Sequence, residues 1–182
     1  MDLIRVSLLL PKINEELCAS KDSIRLIDTL LVCGTDVNST PNQMVAYRAL
    51  SNMFSHPVGE HLALTNSPII FKALAKPMSN NKNVLISLST VFLNFAVSYQ
   101  NKDTNSEHKF QCFATVVNHL SGITESEALF RYLVALGTLA QNDSNISLLL
   151  KSEDVLTLIK KLSISSNPEK VVKCAQKLLE IK

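Results

Sequence analysis

The pattern that decides the fold recurs three times, as YRALSNMF (residues 47–54), TVFLNFAV (90–97) and LVALGTLA (133–140). Each copy carries a polar residue at the same position, and these residues, Asn52, Asn94 and Thr138, are 42 and 44 residues apart. A period near 42 residues is typical of armadillo and HEAT repeats, in which each repeat contributes two or three helices. Weaker copies around Leu10 and Gln176 extend the series. The sequence therefore predicts about five stacked repeats with atypical ends.

The rest of the chain also indicates helices. Sustained alternation of apolar and polar residues is missing from the sequence, and so are Asn-Gly and Asp-Gly hairpin turns. Apolar periodicity, prolines at helix starts and polar links predict about ten helices, among them 41–55, 81–100, 106–119 and 124–141. Gly34 is expected to end the helix that begins at Ser23. We predict one all-α domain over residues 1–182, an armadillo-like right-handed α-superhelix of about five to six helical repeats.

The segment 81–100 shows how a repeat helix is built. Its polar or small residues include Asn83, Ser87, Thr90, Asn94 and Ser98. They follow one another at intervals of three or four residues, and so they share one face of the helix. Apolar residues cover most of the remaining circumference, which is typical of a largely buried helix. In an armadillo stack, such a helix lines a concave groove with its narrow polar stripe.

Arginine is informative because the chain has only four, at Arg5, Arg25, Arg48 and Arg131. Two of them fall on predicted groove stripes, in the series Arg48, Asn52, Ser55 and in the series Glu127, Arg131, Ala135, Thr138, Asn142. Guanidinium groups grip carboxylates, and asparagine side chains can hold the backbone of an extended peptide. The stripes therefore indicate a groove that binds an acidic peptide. The alternative is a solvated polar face, with the asparagines as ladder or cap residues.

Composition excludes several classes of protein. No run of 18 apolar residues occurs, so no segment is predicted to span a membrane. The N-terminus has an acidic residue at Asp2 and no small-residue cleavage site, which makes it a poor signal peptide. A net charge of +2 argues against a strongly basic surface that binds nucleic acid. The four cysteines form no CxxC pair and lie in apolar helical contexts, as expected for free thiols in the cytoplasm or nucleus.

No pattern in the sequence predicts catalysis or metal binding. His56 and His61 are five residues apart but do not form HExxH, and no further ligands lie nearby. Cys112 follows His108 by four residues, but neither an orienting residue nor oxyanion glycines accompany the pair. His108 and His119 are expected at the surface or at the boundary of their helix. We expect no enzyme activity, no cofactor and no metal site.

Three longer runs carry a resemblance to a known family, namely TPNQMVAYRALSNMF (40–54), NNKNVLISLSTVFLNFAVSYQ (80–100) and SEALFRYLVALGTLAQNDSN (126–145). Together they resemble the PUL domain, the C-terminal armadillo-like domain of phospholipase A-2-activating protein and its ubiquitin-fusion-degradation relatives. The resemblance extends from about Ile4 to Ile181. It implies that the chain is a C-terminal fragment of a longer protein, with a WD-repeat propeller and a small ubiquitin-binding domain upstream.

The resemblance also implies a function. It implies binding of the acidic C-terminal tail of the hexameric segregase ATPase, the valosin-containing protein and its fungal counterpart, in a positively charged concave groove. By motif position, the implied groove residues are Arg48 and Arg131, with Lys82 at the rim and Asn52, Asn94 and Asn142 at neighbouring polar positions. The implied role is that of a non-catalytic adaptor in ubiquitin-dependent protein degradation and ubiquitin homeostasis, with ubiquitin reached indirectly through the upstream domains.

Several alternatives stay open. The chain departs from the family pattern at residues 56–59 and 101–105, which would alter tail affinity if these residues shape the groove edge. Lys170, Lys173 and Lys177 share one face of the last helix. We expect that face to be solvated. The alternatives are that it extends the rim of the groove for an acidic tail, or that it contacts nucleic acid. The whole domain is alternatively a structural spacer that packs on other domains of its own chain. A monomer is expected because no heptad seam is sustained.

Overall fold

The structure of the chain is a computed structural model, which describes residues 1–75, 79–101, 106–164 and 166–181. This part of the chain contains twelve α-helices and no strand. In chain order they are α1 (Asp2–Ser7), α2 (Pro11–Ala19), α3 (Ser23–Thr35), α4 (Thr40–Met53), α5 (Pro57–Thr65), α6 (Ser67–Ala73), α7 (Lys82–Asn101), α8 (Ser106–Leu120), α9 (Ser126–Ala140), α10 (Ser144–Leu150), α11 (Glu153–Leu162) and α12 (Glu169–Leu179). The prediction of an all-α domain is confirmed.

Two layers of helices build the fold. The inner helices pack in series, α1 on α4, α4 on α7, α7 on α9 and α9 on α12. The other helices form an outer layer, with α3 against α4, α8 and α10 against α9, and α11 against α12. Five inner helices in series correspond to the five predicted repeats, and the architecture is an armadillo-like α-superhelix.

Hydrogen bonds between successive inner helices recur at the predicted period. The side-chain amide of Asn52 on α4 donates to the carbonyl oxygen of Arg5 on α1 at 2.7 Å, across 47 residues. The amide of Asn94 on α7 donates to the carbonyl oxygen of Ser51 on α4 at 3.1 Å, across 43 residues. Each bond reaches a carbonyl group near the end of the preceding inner helix, and the carbonyl oxygen of Ser51 also accepts from the backbone N–H of Phe54 at 3.3 Å. Both asparagines therefore connect neighbouring inner helices, as the alternative interpretation of the stripes expected.

The helix α7 forms the centre of the core because it lies between α4 and α9. Its residues Val91, Phe92 and Phe95 are completely buried. The ring of Phe95 lies 4.9 Å from that of Phe54 and 4.7 Å from that of Phe71, in both cases edge to face. The long apolar circumference of this segment therefore has the buried position that the sequence predicted.

Gly34 does not end α3, contrary to the prediction. It lies inside the helix, is buried, and is followed by Thr35 as the last helical residue. The hydroxyl of Tyr47 donates to the carbonyl oxygen of Gly34 at 2.6 Å, and a Cβ atom at Gly34 would lie 2.8 Å from the Tyr47 ring. The glycine therefore permits close packing of α4 on α3, and the sequence pattern of a C-cap does not distinguish the two roles.

His119 is fully buried in the core, contrary to the predicted surface or boundary position. Its Nε2 atom lies 2.8 Å from the carbonyl oxygen of Leu74 and therefore carries the proton, so Nδ1 accepts from the hydroxyl of Tyr132 at 2.6 Å. Burial lowers the pKa of His119 to about 4 and keeps the ring neutral. Both partners belong to other helices or turns, so the residues around His119 in the sequence do not indicate them.

Candidate functional site

A polar groove crosses four consecutive inner helices and encloses about 320 Å³. Its lining consists of Arg5 from α1, Arg48, Ser51 and Asn52 from α4, Ile86, Ser87 and Thr90 from α7, and Arg131 from α9. We call this surface the arginine groove. Small side chains on α4 and α7 form its floor, which leaves the basic groups open to a ligand.

Three of the four arginines of the chain meet in this groove, each from a different helix. The fourth, Arg25, is exposed on α3 and lies 3.7 Å from Asp22. The sequence predicted two of the three, Arg48 and Arg131, from their place on the helix stripes. It missed Arg5, which lies in the atypical first repeat. The scarcity of arginine was the only signal that could have drawn attention to Arg5.

Arg131 is held in place by two neighbours. Its Nε atom donates to the Glu127 carboxylate at 3.0 Å, one helical turn away on α9. A second guanidinium nitrogen donates to the hydroxyl of Thr90 on α7, 41 residues earlier in the chain. Since arginine has five N–H donors, three remain for a ligand. The side chain of Arg131 is 30% exposed, so these donors face a partly sheltered space.

Arg5 and Arg48 have more free donors than Arg131. Arg5 pairs with Asp2, 2.7 Å away on the same helix, which holds the pKa of that carboxyl below its usual range. Arg48 is exposed and has no hydrogen bond or ion pair with another residue of the described part of the chain. The groove therefore combines one oriented guanidinium group with two that can follow a ligand.

Glu127 joins the arginine groove to the last inner helix. Its carboxylate accepts from Lys170 on α12 and from Arg131 on α9. These two hydrogen bonds, that from Lys170 first, hold the pKa of Glu127 below its usual range. The carboxylate is therefore ionised at neutral pH and occupies one edge of Arg131 in the way that a ligand carboxylate would occupy the others.

The sequence model of the PUL domain family matches residues 1–177. The chain belongs to the PUL domain family. It is 33% identical to the phospholipase A-2-activating protein of Xenopus laevis, over the whole of this chain and 23% of that protein. It is 21% identical to the ubiquitin fusion degradation protein 3 homolog of Caenorhabditis elegans, over the whole of this chain and 22% of that protein. The PUL domain thus spans less than a quarter of the length of these relatives.

The structure does not bring all six predicted site residues of this PUL domain together. Lys82 begins α7 and points to Glu125, with 3.9 Å between its Nζ atom and the carboxylate, outside the groove lining. Asn142 has a φ of 61° in the turn after α9, roughly 16 Å along that helix from Arg131, and lines a different cavity. Asn94 has its amide on Ser51 and is not part of the lining either.

The predicted stripe on α9 is wrong at Ala135, which is completely buried. Its next member, Thr138, is half-buried, and so is Val134, so the more open side of the helix runs through these two residues. Intervals of three and four residues are both compatible with a helical face, and packing against the neighbouring helices decides which residues stay open.

Residues 56–59 do not form an edge of the arginine groove. His56 lies 2.9 Å from the carbonyl oxygen of Leu9, and Gly59 packs against Asn14 on α2. Asn101 is the last described residue of α7, and residues 102–105 lie outside the described part of the chain. The departure from the family pattern at 56–59 therefore does not alter the site directly.

Other kinds of site are not indicated in the part of the chain that the structure describes. It contains no group of three or more His, Cys, Asp or Glu side chains arranged to hold a metal ion. None of its helices combines the length and the apolar character that crossing a membrane requires. The chemistry that the groove does offer is the binding of anions by guanidinium groups.

Proposed function

We propose that this PUL domain is an adaptor module that holds the acidic C-terminal tail of a valosin-containing-protein-type segregase ATPase in the arginine groove. The convergence of Arg5, Arg48 and Arg131 from three helices carries the proposal. Membership of the PUL family and the similarity to a ubiquitin fusion degradation protein 3 homolog support a role in ubiquitin-dependent protein degradation. We propose no catalytic role for the domain, and its location in cytoplasm and nucleus stays a prediction.

The groove suits an extended acidic peptide for two reasons. It crosses four inner helices in series, so that a ligand with several carboxylates can meet a guanidinium group on α1, α4 and α9 in turn. Small side chains such as Ser51 and Ser87 between the arginines let a peptide backbone approach closely. A charge-assisted hydrogen bond in a partly sheltered position contributes about 1.5–3 kcal/mol, against about 0–1 for an exposed ion pair.

The test is calorimetric titration with a peptide of about ten residues from the segregase C-terminus. We expect a dissociation constant near micromolar, equivalent to roughly −8 kcal/mol. Substitution of the partly sheltered Arg131 by alanine is expected to weaken binding about tenfold, because the loss removes about 1.4 kcal/mol or more. Substitution of the exposed Arg48 is expected to weaken it by up to about fivefold, equivalent to about 1 kcal/mol. The double variant is expected to lose the micromolar affinity.

Arg25→Ala is the matched control, because it removes an arginine that lies on α3, outside the groove. Its affinity is expected to equal that of the wild type. Binding that survives in Arg48→Ala/Arg131→Ala would contradict the proposed site. Absence of binding in the wild type would favour the alternative in which the domain is a structural spacer.

A further inference from the structure

A second pocket lies on the other side of α9, between that helix and α12, and encloses about 400 Å³. Phe130 and Val134 on α9 and Cys174 on α12 form its apolar surface. Its polar lining consists of Lys170, Lys173 and Lys177 on α12. We call it the lysine-rimmed pocket. The three lysines are not part of the arginine groove, and the packing of the helices does not explain why they surround an apolar surface.

The lysines surround the apolar surface because of their spacing on α12. Intervals of three and four residues place Lys170, Lys173 and Lys177 on one face of the helix. The Nζ atom of Lys170 lies 5.6 Å from the centroid of the Phe130 ring, within the range of a cation–π contact. The pocket therefore has positive charge at its edge and an aromatic ring at its base.

The pocket and the arginine groove are connected by the hydrogen bonds of Glu127, which lines neither of them. This carboxylate accepts from Arg131 of the groove and from Lys170 of the pocket, so the two surfaces are neighbours across α9. Phe130 of the pocket and Arg131 of the groove are adjacent in the sequence of that helix. A peptide that leaves the groove past Arg131 therefore reaches the lysine-rimmed pocket next.

We propose that the lysine-rimmed pocket binds an apolar side chain of the same acidic segment, and thereby sets which acidic peptides the domain accepts. This inference rests on the proposed function. Charge complementarity is its basis, since carboxylates beside the apolar side chain can pair with Lys177, which has no ion pair in the described part of the chain, and can compete for Lys173, whose pair with Glu169 is exposed. Lys170 is already paired with Glu127. A purely apolar partner would take the ammonium group of Lys177 out of water without pairing it, which is unfavourable.

The geometry favours an acidic peptide over nucleic acid. Proteins that bind single strands offer aromatic faces on which bases stack. In this pocket Lys170 lies over the only aromatic ring of the lining, and the ring itself is half-buried against the core. A base that stacks on Phe130 would have to displace Lys170 from both Phe130 and Glu127, whereas an apolar side chain can pack on Val134 and Cys174 and leave Lys170 in place.

Cys174 provides a readout for this pocket because its thiol lies in the lining and is half-buried. Burial raises the pKa of this thiol, so alkylation is followed at mildly alkaline pH. Cys33 on α3 is likewise half-buried and free but lies outside both surfaces, and it serves as an internal control. Mass spectrometry of peptide fragments measures both rates in one sample.

The probes are an acidic peptide of about ten residues with a central tryptophan and the same peptide with serine in its place. At a tryptophan-peptide concentration ten times its dissociation constant, alkylation of Cys174 is expected to slow about tenfold, while that of Cys33 is unchanged. The serine peptide is expected to bind the arginine groove in calorimetry but to leave the Cys174 rate unchanged.

Lys173→Glu and Lys160→Glu form a matched pair of variants, because both residues are exposed and the change in net charge is equal. Only Lys173→Glu is expected to reduce the protection of Cys174 by the tryptophan peptide. If both peptides bind, and lose binding in Arg48→Ala/Arg131→Ala, but neither protects Cys174, the pocket is wrong and the groove stands.

Two further outcomes separate the pocket from the groove. Protection of Cys174 that persists in Arg48→Ala/Arg131→Ala with unchanged affinity would support the pocket and contradict the proposed groove. Protection by a single-stranded oligonucleotide but by neither peptide would overturn the inference in favour of a nucleic-acid site.

Discussion

The three guanidinium groups of the arginine groove are prepared for a ligand to different degrees. Arg131 is already oriented by Glu127 and Thr90, so a ligand gains its hydrogen bonds without the cost of ordering a long side chain. Arg48 has no such partner in the described part of the chain and must be ordered on binding. Lysine at position 131 would keep the charge but lose the planar fork that contacts both Thr90 and Glu127, so the exchange is not conservative.

His119 predicts a pH dependence of stability. Its folded pKa of about 4 lies below the ordinary value of 6.5, so the unfolded chain binds a proton more readily between these pH values. The stability that the neutral ring provides is therefore complete above pH 6.5 and is lost as the pH falls towards 4. We expect a loss of about 2 kcal/mol between pH 7 and pH 5. Urea unfolding at both pH values measures it.

The control for this prediction is His119→Gln, which cannot titrate in this range. Its free energy of unfolding is expected to be lower than that of the wild type at pH 7, because the bonds to Tyr132 and Leu74 are disturbed. The loss of unfolding free energy between pH 7 and pH 5, however, should be smaller in this variant than in the wild type by about 2 kcal/mol. An equal pH dependence in both proteins would show that His119 does not cause it.

Sequence reasoning succeeded at single residues only where helical periodicity places a side chain. It found Arg48 and Arg131 because their helices are regular and amphipathic. It failed for Arg5 and His119, whose surroundings come from helices elsewhere in the chain. The hydrogen bonds of Asn52 and Asn94 to backbone carbonyl oxygens also depend on the neighbouring inner helix, and only Asn52 lines the groove as well.

At the scale of helices, one buried side chain caps a distant helix. Asn14 on α2 is completely buried, and its amide donates to the carbonyl oxygen of Leu8 at 2.9 Å. Its side-chain oxygen accepts from the backbone N–H of Gly59 at 3.0 Å. This N–H belongs to the first turn of α5, which has no side-chain cap of its own from His56. Asn14 thus links the end of α1 to the start of α5.

Gly59 is expected to tolerate no side chain. A Cβ atom there would lie 2.4 Å from the carbonyl oxygen of Met53 and 2.7 Å from the side-chain oxygen of Asn14. The overlap outweighs the gain in helix propensity, and Gly59→Ala is expected to lower the free energy of unfolding by about 2 kcal/mol. Denaturant unfolding followed by circular dichroism measures the change.

Gly122→Ala is the matched control, because nothing lies within 4 Å of a Cβ atom at that position. Its stability is expected to stay within about 0.5 kcal/mol of the wild type. If Gly59→Ala were equally neutral, the capping bond from Asn14 would have to be mobile and the link between α1 and α5 weak.

Helix positions were more predictable than helix contacts. Proline near the start of α4 and α5 and the acceptor Asp143 before α10 mark their boundaries locally, and the structure places them there. The helix-ending role expected of Gly34 failed because Tyr47, 13 residues away, packs on it. Local signals thus fix where a helix begins, and packing decides what its individual residues do.

At the scale of the whole molecule, charge is nearly balanced but unevenly arranged. The chain has 18 basic and 16 acidic residues, whereas the arginine groove has three basic residues and no acidic residue in its lining. Binding of an acidic peptide should therefore depend on local rather than long-range attraction. The predicted monomeric state of this 20.1 kDa domain stays a prediction, which sedimentation would test.

We expect salt to weaken peptide binding. The Debye length falls from about 14 Å at 0.05 M to about 4 Å at 0.5 M, so the attraction between the guanidinium groups and the carboxylates is screened. Because Arg5 and Arg131 are partly sheltered, we expect the dissociation constant to rise on the order of tenfold and binding to persist at the higher salt. Calorimetry across this range measures it. An affinity that does not change would mean that apolar contacts dominate binding.

The placement of the three arginines on separate inner helices has a mechanical consequence. Their mutual distances are set by the angles between repeats, since no single helix contains two of them. Any bend of the stack changes the spacing of the charges. A peptide bound to all three arginines therefore opposes bending of the stack. A substitution between two outer helices, remote from the groove, can therefore change affinity by altering curvature alone.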